Sequence, residues 1–429
     1  MKKEDPCYGT YVDILKRELI PAMGCTEPIA IAYCGAKARA ALGAVPDRVE
    51  IAVSGNIIKN VKSVIVPNSG GGRGIETAAA MGILAGREDL GLEVLSQVTD
   101  GQKGALKEYI QKTEITVSPL ESRYLLDIIV TVFCGSSEAR VRIAREHTNI
   151  VEISKDKKII FEKDPDESEA DEELLDYGLL TIEKIYDFAV TADIEDVREI
   201  LDRQIEYNTA IAEEGMRGDY GANIGRILML EYGNSVENRA KAMAAAGSDA
   251  RMNGCELPVV INSGSGNQGM TASLPVIEYA RELKSGREQL YRALLLSNLV
   301  TLHQKTGIGR LSAYCGAVSA GAGAGTGIAY LCGGNLEVIA HTLVNAIAIT
   351  SGIVCDGAKA SCAAKIAVAV DTGILGYKMY KNGKQFYGGD GLVAKGVENT
   401  IRNIGRLGKT GMKETDKEII RIMTEEVSC

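Results

Sequence analysis

Tryptophan is absent from this chain of 429 residues and phenylalanine occurs only four times, so aromatic residues make up 5% of the sequence. Ala, Val, Ile and Leu must therefore fill the interior, and the 48 glycines allow backbones to approach closely. Such a composition favours tightly packed helices. With 45% apolar residues, the chain can bury cores large enough for two domains.

A surplus of basic residues is also lacking, because the formal net charge is −9 at pH 7. Nucleic-acid binding needs clustered Lys and Arg side chains that displace the counterions of the phosphates. We therefore expect a small-molecule partner and no nucleic acid.

An uninterrupted apolar run is missing near the N-terminus, where charged residues break up the core that a secretory signal needs. One later stretch imitates a membrane segment, since Glu337 is the only charged residue from Leu311 to Cys355. Gly, Ala and Ser dominate its first half, and polar residues interrupt its second half. We predict buried helices here, no contact with a membrane and a cytoplasmic location.

The first part of the chain mixes helical and strand-like patterns. Helical periodicity occurs at Val12–Leu19 and Ile29–Leu42, whereas Arg48–Val66 and Leu125–Phe161 are rich in β-branched residues. The strand-like segments of the last stretch follow one another directly. This favours antiparallel pairing, because a parallel crossover needs about a dozen residues or more.

An acidic run, Asp164–Glu173, carries seven carboxylates in ten residues and is the predicted linker. Helical periodicity continues after it almost without a break, at Leu174–Val190, Ile194–Thr209, Asn238–Met252, Leu274–Lys284, Gln289–Thr306 and Glu414–Val427. We predict an α+β domain with an antiparallel sheet at residues 1–165, followed by an all-α domain at residues 174–429.

The segment NSGSGNQG contains the spacing G-x-G-x-x-G, which is typical of dinucleotide-binding turns. No second strand follows within the distance that such a unit requires, so nucleotide binding is disfavoured. A polar loop at a helix N-terminus instead suits an anion such as an amino-acid carboxylate. The candidate substrate-binding residues of this loop are Asn262, Ser263, Ser265, Asn267 and Gln268.

A second glycine-rich segment, NSGGGRGIET, lacks the Lys-Ser/Thr ending of a phosphate-binding loop. Arg73 within it is a further candidate for binding a substrate carboxylate, because its planar guanidinium matches that geometry. A solvent-facing arginine in a turn is the alternative interpretation.

The segment PAMGCTEP places Cys25 just before a predicted helix, and Glu27 follows two residues later. A thiol at a helix N-terminus is stabilised as the thiolate, which makes it a better base, nucleophile or metal ligand. A lone cysteine is more often a small core residue. The unusual turn around Cys25 favours a functional role, so we take Cys25 and Glu27 as candidate catalytic residues.

Ten cysteines in a cytoplasmic chain should be reduced thiols, and Cys315, Cys355 and Cys362 are the candidate metal ligands among them. Thiolates select iron–sulfur clusters or zinc, but the sequence has no C-x-x-C pair, so spacing alone leaves both open. Lys305, Lys359 and Lys365 are weaker candidates for neutralising a carboxylate, because each is better explained as a solvated side chain.

Four segments occur here in the same order as in a known family, namely PAMGCTEP, NSGGGRG, NSGSGNQG and CDGAKASC. The chain resembles that family, the L-cysteine desulfidases, which are relatives of the iron–sulfur L-serine dehydratases. The resemblance covers nearly the whole length. It implies a carbon–sulfur lyase that works without pyridoxal phosphate and eliminates sulfide from L-cysteine, giving pyruvate and ammonia.

The resemblance also implies a [4Fe–4S] cluster held by Cys315, Cys355 and Cys362, which leaves one iron open as a Lewis acid. Cys25, Cys429 or the substrate is the implied fourth ligand. A small amino acid is the implied substrate, and a homodimer is the candidate assembly.

Two departures separate the chain from the L-serine dehydratases. NSGSGNQG stands where those enzymes have a cysteine-containing turn, and the gap between Cys355 and Cys362 is shorter than theirs. L-Serine dehydratase therefore stays as an alternative, as do a non-catalytic iron–sulfur or amino-acid sensor and a structural zinc protein.

Overall fold

The structure, a computed structural model, describes residues 1–166 and 175–424 of the chain. Its strands are β1 (Pro21–Met23), β2 (Arg48–Val53), β3 (Glu114–Pro119), β4 (Asp127–Cys134), β5 (Ser137–Ala144), β6 (Ile150–Lys155), β7 (Lys158–Glu162) and β8 (Pro258–Val260). The helices of the first region are α1 (Tyr8–Glu18), α2 (Thr26–Leu42), α3 (Gly55–Val61), α4 (Gly74–Ala85) and α5 (Asp100–Lys112).

The second region is almost entirely helical, as its periodicity predicts. Its helices are α6 (Ile182–Thr191), α7 (Arg198–Arg217), α8 (Ile224–Tyr232), α9 (Val236–Met252), α10 (Gly266–Glu282), α11 (Arg287–Ile308), α12 (Gly316–Leu331), α13 (Leu336–Ile349), α14 (Cys362–Lys381), α15 (Val397–Arg406) and α16 (Lys413–Thr424). The predicted linker lies mainly in residues 167–174, outside the described ranges, and the two-domain division stays a prediction.

Six strands form one sheet in the order β3-β2-β4-β5-β6-β7. Four neighbouring pairs are antiparallel, as predicted, but β2 and β3 are parallel, so the sheet is mixed. The parallel pair is feasible because α3, α4 and α5 lie between its strands and provide the long crossover.

The predicted strand Arg48–Val66 is wrong beyond Val53, where the chain turns into α3. Ile57 and Val61 are both fully buried and lie four residues apart, which places them on one face of a helix. Short apolar runs fit either pattern, and here the helical packing prevails.

Close contacts between backbones hold the glycine-rich helices together. A side chain at Gly373 of α14 would place its Cβ 2.1 Å from the carbonyl oxygen of Gly321 in α12. The stretch that imitates a membrane segment forms α12 and α13, two largely buried helices, as predicted. No helix in the described residues is long and apolar enough to cross a membrane.

A two-stranded sheet joins the regions, because β1 pairs antiparallel with β8, with Pro21 opposite Val260. The second region therefore contains a short strand and is not purely helical. This pairing brings PAMGCTEP, which follows β1, beside NSGSGNQG, which follows β8. The main cluster of buried apolar residues includes side chains from both regions.

Candidate active site

One cavity collects most of the residues singled out in the sequence. It measures about 730 Å³, including its opening to solvent. Four cysteines line it, and so do four basic and seven other polar side chains: Cys25, Cys315, Cys355 and Cys362; Lys59, Arg251, Lys305 and Arg310; Glu27, Asn60, Ser265, Asn267, Gln268, Ser312 and Tyr314. Cys429 lies outside the described residues.

Backbone pairing brings Cys315 and Cys355 together. The Cys315 N–H donates to the Ile353 carbonyl at 2.9 Å, and the Cys355 N–H donates to the Ala313 carbonyl at 2.7 Å. Cys315 directly precedes α12, and Cys362 is the first residue of α14. Two of the three cysteines thus lie at helix N-termini, where the helix dipole favours an anionic sulfur.

The thiols of Cys315 and Cys355 share a hydrogen bond, which lowers the pKa of Cys355 and raises the pKa of Cys315. Burial raises the pKa of Cys362. Lys305 lies among these thiols, and its own burial lowers the pKa of its ammonium group to about 8. The interpretation of Lys305 as a solvated side chain is wrong, because it is only 5% exposed.

Cys315, Cys355 and Cys362 place three thiols around one cavity, and thiolates are the donors that an iron–sulfur cluster takes. No set of three or more His, Cys, Asp or Glu residues is arranged to hold one metal ion within the described ranges. Lys59 and Lys365 are close enough to the sulfurs to favour their negative charge. Metal binding would replace the thiol protons.

Lys359 and Lys365 instead hold the loop between two of the cysteines. Lys359 Nζ lies 2.5 Å from Asp356 Oδ1, and Lys365 bonds to the same carboxylate. Lys365 also donates to the Val354 carbonyl at 2.8 Å. These contacts fix the CDGAKASC segment and occupy both ammonium groups.

Cys25 and Glu27 interact directly, since Cys25 Sγ lies 3.1 Å from Glu27 Oε2. Burial, followed by the charge of Glu27, raises the pKa of Cys25 well above its usual value. The environment therefore does not favour the expected thiolate at this helix N-terminus, and the Cys25 thiol donates to the carboxylate. Asn60 Nδ2 donates to the other carboxylate oxygen at 3.0 Å.

The NSGSGNQG loop divides into two halves. Ser265, Asn267 and Gln268 line the cavity at the start of α10, as predicted. Asn262 and Ser263 do not line it, because Asn262 donates to Asn298 Oδ1 at 3.0 Å and Ser263 donates to Asn262 Oδ1 at 2.8 Å. These two side chains bond within the protein and hold the loop in place.

Packing explains the glycines of this loop without a nucleotide. A Cβ at Gly266 would lie 2.4 Å from Arg251 Nε, and a Cβ at Gly269 would lie 2.0 Å from the Val260 carbonyl oxygen. Gly266 thus leaves room for the Arg251 guanidinium, and Gly269 allows α10 to approach β8.

The structure does not bring Arg73 to the cavity. Its guanidinium is exposed and donates to the Ser63 carbonyl at 2.6 Å. Gly70 and Gly71 both have positive φ, and the chain turns back there so that Arg73 pairs with Ile65. Arg73 is therefore part of a surface turn, which agrees with the alternative interpretation of a solvent-facing arginine.

Several residues that line the cavity belong to no motif from which the sequence would predict a functional role. Arg251 belongs to a helix with ordinary periodicity, Lys59 to a misassigned strand, and Arg310 to the connection before α12. Arg310 is held by Glu18, whose Oε1 lies 2.8 Å from Nη2. Only the tertiary packing shows that these basic groups face one cavity.

The family model described as serine dehydratase alpha chain matches residues 89–421, which include the three candidate cluster cysteines. The chain belongs to this family. This match confirms the resemblance to the serine dehydratases at the level of the family. The matched segment does not include Cys25 or Glu27.

Several similar proteins match the chain over nearly its full length. A UPF0597 protein from Desulfitobacterium hafniense (strain Y51) is 63% identical over 428 residues and covers 100% of this chain and 99% of its own. UPF0597 proteins from Lachnoclostridium phytofermentans and Finegoldia magna are 52% and 49% identical, and each alignment covers 97% of this chain and 99% of the relative. These names state no activity.

Proposed function

We propose that the chain is an iron–sulfur lyase that eliminates sulfide from L-cysteine, giving hydrogen sulfide, pyruvate and ammonia. The observation that carries this proposal is the convergence of Cys315, Cys355 and Cys362 on a cavity that also contains the Cys25–Glu27 pair. Membership in the serine dehydratase alpha chain family supports a lyase. The PAMGCTEP segment supports the desulfidase branch of the resemblance, and the cytoplasmic location stays a prediction.

The [4Fe–4S] cluster would be held by the three thiolates of Cys315, Cys355 and Cys362. When bound, it supplies a Lewis-acid iron with an open coordination position, which draws electron density from the leaving group. Lys305, the buried ammonium group beside these sulfurs, lies where negative charge on the thiolates needs a counter-charge.

The Cys25–Glu27 pair provides the route for the substrate α-proton. Cys25 Sγ passes its proton to Glu27 Oε2 and takes the α-proton, so that the S–H bond is restored as the Cα–H bond breaks. The electron pair of that bond forms the Cα–Cβ double bond, and the β-carbon–sulfur bond breaks with release of sulfide. The aminoacrylate then tautomerises and is hydrolysed to pyruvate and ammonia.

The experiment is anaerobic purification with iron and sulfide quantitation, followed by assays on L-cysteine and L-serine. We expect iron and acid-labile sulfide in the wild type and their loss in Cys315→Ser, Cys355→Ser and Cys362→Ser. Cys332→Ser is the matched control, since Cys332 is exposed and outside the cavity. Protein that binds no iron with all three cysteines intact contradicts the proposal.

The substrate assay separates the desulfidase from L-serine dehydratase, which the family name favours as the second candidate. Sulfide and pyruvate formed from L-cysteine in equal amounts, with slower turnover of L-serine, support the desulfidase. Faster pyruvate release from L-serine assigns the dehydratase. Cluster binding without turnover of either amino acid assigns a sensor.

A homodimer is part of the proposal, and β7 is its contact. This edge strand exposes Ile159, Ile160 and Phe161, and an exposed apolar edge favours pairing with another strand. Two copies of β7 in antiparallel contact would set Lys158 of one against Glu162 of the other, which makes the strand complementary to itself. Sedimentation should show a dimer for the wild type and a monomer for Ile160→Lys; an unchanged dimer in the variant contradicts this contact.

A further inference from the structure

Arg251, near the end of α9, is a buried cation that forms no ion pair with the described residues. Its side chain is only 2% exposed, and no carboxylate of the described residues lies within ion-pairing distance of it. Nη1 donates to the neutral side chain of Asn267 at 3.1 Å, and Nε has no hydrogen-bond partner in the described part of the chain. A buried charge needs a counter-charge, but the Glu27 carboxylate of the same cavity is bonded to Cys25 and Asn60, so the environment of Arg251 is incomplete.

The other basic groups of the cavity differ from Arg251. Lys59 is paired with Asp416, and Arg310 is paired with Glu18. Lys305 has no such pair among the described residues, but an ammonium group can release its proton when it is buried, and Lys305 lies beside the candidate cluster ligands. A guanidinium does not release its proton, so Arg251 stays charged and requires an anion.

The start of α10 adds a second feature that attracts an anion to the same place. Gly266, the first residue of α10, packs so closely on the guanidinium that a Cβ would lie 2.4 Å from Nε. The first backbone N–H groups of a helix have no partner within the helix, and its dipole favours negative charge there.

We propose that Arg251 and the first turn of α10 bind the α-carboxylate of the amino-acid substrate. The assignment of the anion as an amino-acid carboxylate rests on the function proposed above. Arg251 also lies near Cys25, because its charge acts on that thiol. The carboxylate thus binds beside the proton-transfer pair, and the β-substituent extends toward Cys315, Cys355 and Cys362.

A binding experiment on the anaerobically purified protein tests this site without turnover. L-Alanine keeps the α-carboxylate and has no leaving group, whereas L-alaninamide has the same side chain and no carboxylate. We expect L-alanine to raise the midpoint of thermal unfolding and to give a measurable Kd by calorimetry. We expect L-alaninamide to bind at least tenfold more weakly.

Two variants and a control locate the effect. Arg251→Lys should weaken L-alanine binding at least tenfold, because the ammonium group lacks the planar fork of donors. Gly266→Ala should weaken it as well, since the added methyl group displaces the guanidinium. Arg239→Lys, on the same helix but paired with Glu282 at the surface, should bind L-alanine like the wild type.

The outcomes separate this site from the proposed reaction. Equal binding of L-alanine and L-alaninamide to the wild type, or unchanged binding in Arg251→Lys, overturns the carboxylate assignment even if L-cysteine is turned over. Arg251-dependent binding of L-alanine without turnover of L-cysteine supports the carboxylate site and overturns the desulfidase. The wild-type comparison decides the assignment even if a variant fails to fold.

Discussion

Lys59 in α3 and Asp416 in α16 form an ion pair that joins the C-terminal helix to the wall of the cavity. Lys59 Nζ contacts Asp416 Oδ1, and Asn56 Nδ2 donates to Asp416 Oδ2 at 2.9 Å. The Lys59 side chain is 1% exposed and also lines the cavity. Asp416, which lies 357 positions after Lys59 in the chain, thus holds the Lys59 ammonium group in the cavity that contains the cysteines.

Asp416→Ala should lower the free energy of unfolding by about 3 kcal/mol, because it leaves the buried Lys59 ammonium without a counter-charge. Glu414→Ala on the same helix removes only the exposed pair with Lys417 and should cost less than about 0.5 kcal/mol. Urea unfolding of both variants under anaerobic conditions measures the difference. Equal losses in the two variants would show that the Lys59 contact contributes no more than a surface pair.

Gly373→Ala should destabilise the protein by about 2 kcal/mol or more, because the methyl group would collide with the backbone of α12. Gly104→Ala is the control for helix propensity. Position 104 lies inside α5 with open space around a Cβ, so alanine there should stabilise by about 0.5–1 kcal/mol. Thermal unfolding of the two variants should show shifts of opposite sign; stabilisation by Gly373→Ala would contradict the close helix contact.

The sequence predicts most helices and the strands of the Leu125–Phe161 stretch, because their periodicity reflects burial of one face. It does not predict the parallel β2–β3 pair, which depends on how the intervening helices pack. Nor does it predict that β2 ends at Val53, after which α3 begins almost at once at Gly55. Local patterns do not contain the contacts that decide these cases.

The residues of the candidate site also divide into those that the sequence predicts and those that it does not. Cys315, Cys355 and Cys362 are predicted through family resemblance, and the structure brings them to one cavity. Arg251 and Lys59 could not be predicted, because a basic residue is usually solvated and only tertiary packing makes these two buried. The guanidinium of Arg73 fits a carboxylate, but the turn around it carries the side chain to the surface.

Asp249 should make stability depend on pH. Its side chain is 1% exposed, and burial raises the pKa of its carboxyl group to about 6. Because the folded-state pKa lies above the unfolded value, the contribution is fully present below about pH 4 and is lost as pH rises through about 6.

Asp249→Asn removes this titration while keeping an oxygen that can accept from the Gly225 N–H. Relative to the wild type, the variant should gain about 1–2 kcal/mol in unfolding free energy between pH 5 and pH 8. Urea unfolding at both pH values measures this change, and Asp219→Asn is a control at an exposed position. A difference between variant and wild type that stays constant with pH would contradict the raised pKa.

Glu27→Gln and Cys25→Ser test the proton-transfer pair. Both variants should keep the iron content of the wild type, because the thiol of Cys25 is bonded to Glu27 and the proposed cluster is held by Cys315, Cys355 and Cys362. Each should lower kcat on L-cysteine by about 10²–10⁴-fold, the range for loss of a general base. Loss of iron in Cys25→Ser would instead make Cys25 the fourth cluster ligand. Unchanged kcat in Glu27→Gln would show that the α-proton is removed by another group.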